Sequence, residues 1–139
     1  MIKKEDFIIY FPDSALYQNA YLHIDQSDSV ESPLNSRHLF INNNNIFKNR
    51  VDIFIEPVGI PDSLLDKASI VSCDENNYTS YGGEIFEHFI TTKINWFGDY
   101  AVMIDTVPPT ITPVSFSNKA NTSKILFKID DNLKTAGKA

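Results

Sequence analysis

The chain has 139 residues, 42% of them hydrophobic and 22% charged, with a formal net charge of −6. That balance fits one globular domain, or one domain with part of another. It excludes a nucleic-acid binder, which needs a basic, phosphate-neutralising surface, and no apolar run approaches the ~20 residues that span a bilayer.

The start, MIKKEDFIIYF, has an apolar run too short for a secretory signal, so export signals lie upstream or the protein is cytoplasmic. Residues 7–11 read as a compact apolar strand stopped by Pro12-Asp13, and Asp13-Ser14-Ala15-Leu16 as one capped turn. Residues 21–24 give a second short strand. From 26 to 50 Ser, Asn and Asp dominate, with a polar run from Asn42 to Asn45. This composition predicts a long loop with at most a ragged hairpin, and the most mobile part of the domain.

Alternation resumes at Val51, Ile53 and Ile55, with Asp52 and Glu56 on the opposite face and Phe54 as the exception. A short helix capped near Asp62 is expected over 61–67, then a strand over 68–73. Gly82-Gly83 supplies a turn with positive φ, and 85–96 reads as one long extended segment. Residues 99–104 form a further strand, in which Tyr100, Val102 and Ile104 alternate with Ala101 and Met103. Pro108 and Pro109 end it, because proline fixes φ and donates no ladder hydrogen bond. Beyond them, 111–116 and 124–129 are expected to pair as a hairpin. Seven or so short strands without a helical period predict an all-β chain. Its expected form is an immunoglobulin-like antiparallel β-sandwich over 1–106. A diproline linker and the first two strands of a second, incomplete sandwich follow over 107–139.

The residues that could carry chemistry are few. His23, His38 and His88 lack the His-x-x-x-Asp and His-x-His spacings of a zinc peptidase. Neither a Gly-x-Ser-x-Gly elbow nor a phosphate loop occurs. Asp74, Glu84 and Glu87 read as exposed carboxylates rather than a glycosidase pair, and Asp105, Asp130 and Asp131 are too sparse for a calcium loop. Cys73, the single cysteine, has no disulfide partner and reads as a small buried strand residue. No catalytic, cofactor or metal site is therefore expected. The better candidates are aromatic. Tyr78 and Tyr81 precede a Gly-Gly turn and Trp96 ends a strand, so each could stack on a sugar, with core packing as the competing reading.

Four blocks carry a resemblance: FPDSALYQNAYLHI, IPDSLLDKASIV, WFGDYAVMIDTVPPTITPVSF and KILFKIDDN. In this order they resemble the non-catalytic β-sandwich region that follows the catalytic domain in exported lysostaphin-type (LytM-like) zinc metallopeptidases of Gram-negative anaerobes. In that group a segment FGxYxVxxDTxxPTIxPxxF joins a first sandwich to a second. The resemblance implies a periplasmic or cell-surface location. It also implies partners in a longer chain, namely an upstream peptidase domain and the remainder of the second sandwich. It further implies O-glycosylation at Asp-Ser/Thr-aliphatic triplets, which place the acceptors at Ser14, Ser29, Ser63 and Thr106; composition alone would give roughly 0.6 such triplets. Turn and cap chemistry explains the same triplets without glycosylation.

Two readings of function stay open. One is a non-catalytic spacer or positioning domain of a cell-wall peptidase-like protein. The other is a glycan- or peptide-binding module that uses exposed aromatics.

Overall fold

The computed structural model describes residues 1–19, 21–42, 47–75, 77–119 and 122–135. Strands β1 (Ile2–Lys4) and β2 (Phe7–Tyr10) form a hairpin across Glu5-Asp6. β3 (His23–Gln26) pairs with β4 (Leu39–Asn42), and β5 (Val51–Ile55) follows. A 3-10 helix (Asp62–Lys67) leads into β6 (Ala68–Asp74), β7 (Asn77–Ser80), β8 (Glu84–Phe86), β9 (Phe89–Ile94) and β10 (Gly98–Ile104). The last three strands are β11 (Thr110–Lys119), β12 (Thr122–Asp130) and β13 (Lys134–Thr135).

Two sheets form the sandwich, with orders β1-β2-β5-β9-β8 and β13-β7-β6-β10-β4-β3, and β11-β12 is a third, two-stranded sheet. The pairings are antiparallel except β13 with β7. The chain is thus all-β and sandwich-like, as the strand periodicity implies, with one short 3-10 helix among the described residues.

The core follows from period-2 alternation. Phe7 and Ile9 of β2, Val51, Ile53 and Ile55 of β5, and Ile90 and Ile94 of β9 point inward from the five-stranded sheet. Leu39 and Ile41, Ala68 and Ile70, and Tyr100 and Val102 meet them from the other sheet. Phe47 closes one end, tilted at 55° against Phe97 with ring centroids 4.2 Å apart and edge-on to Phe11 at 6.1 Å. A Cβ on Gly83 would come within 2.7 Å of Ile90 and 2.8 Å of the Ala68 carbonyl, so glycine is required there by close approach.

Three expectations are corrected. The 26–50 segment is not a mere loop, because Leu39–Asn42 is a core strand whose Leu39 and Ile41 are buried. Residues 43–46, most of the expected polar run, lie outside the described residues, as do 120 and 121 of the turn after β11. The extended segment 85–96 is instead a hairpin, since β8 and β9 reverse at Glu87-His88 with Glu87 at φ 55°. The 3-10 helix is preceded by Pro61, which makes no side-chain cap bond, and Asp62 lies within its first turn.

Strand β10 is buried on both faces from Tyr100 to Met103. Its outer face is covered by Leu34, which bridges to Met103, and by Leu133, which packs with Val71 and Met103. Residues 131–135 therefore return from the hairpin to the sandwich. Ser36 is 1% exposed, and its Oγ accepts from the Val102 N–H at 2.7 Å. Nearby, Asn35 Oδ1 accepts from the Ile104 N–H at 3.2 Å. These bonds continue the ladder where β4 no longer reaches. Ser36→Ala should leave the Val102 N–H buried and unpaired, lowering stability by about 1–3 kcal/mol. Urea unfolding with an unchanged m-value would measure this; no loss would show that another acceptor replaces Ser36.

Candidate functional site

The outer face of the five-stranded sheet is aromatic. Register places Ile8 opposite Phe54, and Phe54 opposite Thr91, across β2, β5 and β9, while Phe86 opposes Phe89 across the β8–β9 hairpin. The rings meet edge-on, Phe54 with Phe86 at 5.8 Å and with Phe89 at 6.5 Å, in the arrangement their quadrupoles favour. Tyr10, Ile8, Glu87 and Met1 complete a groove of about 210 Å³. Phe89 forms its buried floor, whereas Tyr10 and Phe86 stand 48% and 54% exposed. Asp52 and Lys93, 3.6 Å apart, flank it on the same face. The side chains that line it are apolar apart from Glu87 and the Tyr10 hydroxyl, so the groove suits one large apolar side chain better than a sugar, whose hydroxyls need partners. The sequence signal was Phe54, an aromatic on an otherwise polar strand face; Tyr10 and Phe86 gave none.

The aromatics singled out in the sequence do not assemble into one platform. Tyr81 packs on the inner core and lies edge-on to Tyr100 at 5.7 Å. Tyr78 packs on the outer cluster of Val71, Met103 and Leu133, on the opposite face of the same sheet. Trp96 is 59% exposed, and its carbonyl accepts from the Tyr100 hydroxyl at 3.0 Å. Burial, with Tyr81 alongside, raises the Tyr100 pKa.

The histidines are equally scattered. His23 pairs with Asp25 at 2.9 Å on the surface, and His88 lies against the Phe89 ring at 4.1 Å. His38 Nε2 lies 3.3 Å from Asp99 Oδ2 without hydrogen-bond alignment. Among the described residues no group of three or more His, Cys, Asp or Glu side chains could hold a metal ion. Asp105 accepts from the Val107 N–H at 3.0 Å, Asp130 pairs with Lys128 at 2.7 Å, and Asp131 accepts from the Leu133 N–H at 3.4 Å. These acids serve turns and the hairpin. Ser14, Ser29, Ser63 and Thr106 are all exposed.

A family model for the Zu5-like domain matches residues 1–105. The chain belongs to the Zu5-like domain family. No curated protein and no solved structure matches it significantly. In this Zu5-like domain the matched stretch runs from β1 through the end of β10, and thus includes both sheets' core strands and the whole aromatic groove.

Burial first, and the Asp99 carboxylate second, push the Cys73 thiol up to about 12. At pH 8 its reaction with a disulfide reagent should be far slower than that of a free thiol. Leu133→Asp should accelerate that reaction by uncovering the cluster in which Cys73 packs; an unchanged rate would mean the tail does not shield it.

Burial raises the Asp99 pKa, and His38 partly offsets the rise. A folded pKa above the unfolded one gives stability that is present below the unfolded value and lost as pH rises through the folded value. Asp99→Asn should therefore raise the melting temperature at pH 7 relative to wild type, with no gain near pH 3. A variant less stable at pH 7 would show that the ion pair with His38 outweighs burial.

Proposed function

We propose that this Zu5-like domain is a non-catalytic accessory module of an exported, cell-wall metallopeptidase-like protein, one that positions its neighbours by shape and stiffness. The observation that carries the reading is the junction after β10. Strand β10, buried on both faces from Tyr100 to Met103, runs directly into Asp105-Thr106-Val107-Pro108-Pro109 and then β11. The Asp105 side chain closes a turn on Val107, and two consecutive prolines fix their own φ angles. Residues 131–135 tie the far end of the hairpin back to β7, so the segment beyond the prolines is held at two points. A spacer needs such a joint. The four sequence blocks support the peptidase context, with an upstream peptidase domain and the remainder of a second sandwich as partners. The extracytoplasmic location rests on the same resemblance, and the exposed hydroxyls of Ser14, Ser29, Ser63 and Thr106 are open to glycosylation.

The aromatic groove favours a second reading, a module that binds an apolar peptide side chain rather than a glycan. Incubation of the chain with purified peptidoglycan sacculi, and titration with a model peptide containing one Phe, separate the two. For a spacer we expect neither cleavage, with or without added zinc, nor co-sedimentation, nor peptide binding. Saturable peptide binding lost in Phe86→Ala would favour the binding module. Zinc-dependent turnover abolished by His38→Ala would overturn both.

A further inference from the structure

Residues 131–135 meet the sandwich over a small contact. Leu133, 5% exposed, packs with Val71 and Met103, and Leu34, Cys73 and Tyr78 lie around them. Asp131, Asn132 and Lys134 on either side of it are exposed. β13 adds two register pairs on β7, Lys134 with Thr79 and Thr135 with Ser80. They are parallel, the weaker kind of pairing per residue. The bond from the Leu133 N–H to Asp131 Oδ1, at 3.4 Å, lies within the segment itself. One buried side chain and two backbone pairs therefore hold five residues in place.

The sandwich does not lean on this segment. Among the described residues, the main core is drawn from positions between Phe7 and Val102, whereas Leu133 belongs to a separate cluster on the outer face of the six-stranded sheet. The stretch matched to the Zu5-like domain ends at residue 105, well before it. On β10, the N–H groups of Val102 and Ile104 are met by Ser36 and Asn35, and Leu34 bridges to Met103, so none of these contacts depends on Leu133. β7 is four residues long, Asn-Tyr-Thr-Ser, short and polar enough to stand as an edge.

We propose that residues 131–135 are a releasable strap, which opens as a unit while the sandwich stays folded and uncovers the Val71–Met103 patch, Cys73 and the edge of β7. Elements with few buried apolar contacts are those that open below the free energy of global unfolding. Opening also changes how the hairpin is carried. With the strap closed, β11–β12 is held both at the diproline segment and at β7; with it open, the diproline segment alone joins it to the sandwich. The strap thus sets whether whatever the hairpin carries is fixed or hinged. Opening is a property of this chain whatever its neighbours are, and so does not rest on the accessory role.

Cys73 is a built-in reporter. Burial is the larger cause of its raised pKa, and opening removes that cause, so rapid reaction of the thiol requires the open strap. The test is labelling of Cys73 in the full chain by a disulfide reagent at pH 8, at urea concentrations below the unfolding transition followed by circular dichroism. We expect a rate nearly independent of urea there, and well above the rate that global unfolding permits. Leu133→Ala should raise it at least about tenfold, as expected for truncating a buried leucine. Ile53→Val, in the main core, should lower the unfolding midpoint and leave the labelling rate unchanged. Deuterium exchange read by mass spectrometry should show 131–135 losing protection ahead of 98–104. A labelling rate that climbs with urea in step with global unfolding would overturn the proposal, as would acceleration by Ile53→Val. So would an unchanged rate in Leu133→Ala, which would mean that the thiol is reached without opening, or protection of 131–135 as lasting as that of 98–104.

Discussion

Burial of β10 on both faces is the constraint to which the other elements respond. A two-layer sandwich covers each sheet on one side only, and Tyr100 and Val102 are covered in that way. Ala101 and Met103 point outward yet are buried, so something outside the two layers has to cover them. Two segments do so. Residues 34–36 lie along β10 and supply Ser36 and Asn35 as acceptors, and Leu133 packs on the Val71–Met103 patch. Without them the strand would carry unpaired N–H groups and exposed aliphatic surface at the centre of its sheet.

The same constraint orders the polar region before β5. Arg37 reaches Asp6 at 2.7 Å, and the Gln26 amide donates to Asp6 at 3.2 Å. The β1–β2 turn of one sheet is thereby fastened to the β3–β4 hairpin of the other. The partners are half-buried, so the fastening acts more by fixing register than by net ion-pair energy. Residues that look loop-like by composition are fixed by what they must satisfy on β10 and at Asp6.

How far the sequence revealed this depended on whether a signal was local. The strands over 7–10, 51–55, 68–74 and 98–104 announced themselves through alternation and aliphatic content. The reversal at Glu87-His88 did not, because no Gly, Asn or Asp marks the positive φ that Glu87 adopts. Leu39–Asn42 was obscured by its polar surroundings; its place in the core comes from pairing with β3 and β10, both distant in sequence. The site shows the same limit more sharply. Tyr78 and Tyr81 are close in sequence, yet a strand's alternation sends them to opposite faces. Tyr10, Phe54 and Phe86 are far apart in sequence, and pairing across β2, β5, β9 and β8 gathers them on one surface.

That gathering has a stability cost that cover would remove. Aromatic rings on the solvent side of a sheet gain edge-on contacts with one another but leave apolar area in water, at roughly 25 cal/mol per Å². The five-stranded sheet already has a complete inner face, so its folding does not require Phe54 or Phe86 outside. Asp52 and Lys93 on the same face show that a polar pair is compatible with these strands. The hairpin presents the same imbalance, with Ile111, Ile125, Phe127 and Ile129 on one face and Leu126 beside Lys128 and Asp130 on the other. Both surfaces leave apolar area in water without adding to the sandwich core, so the cost falls on the folded chain alone.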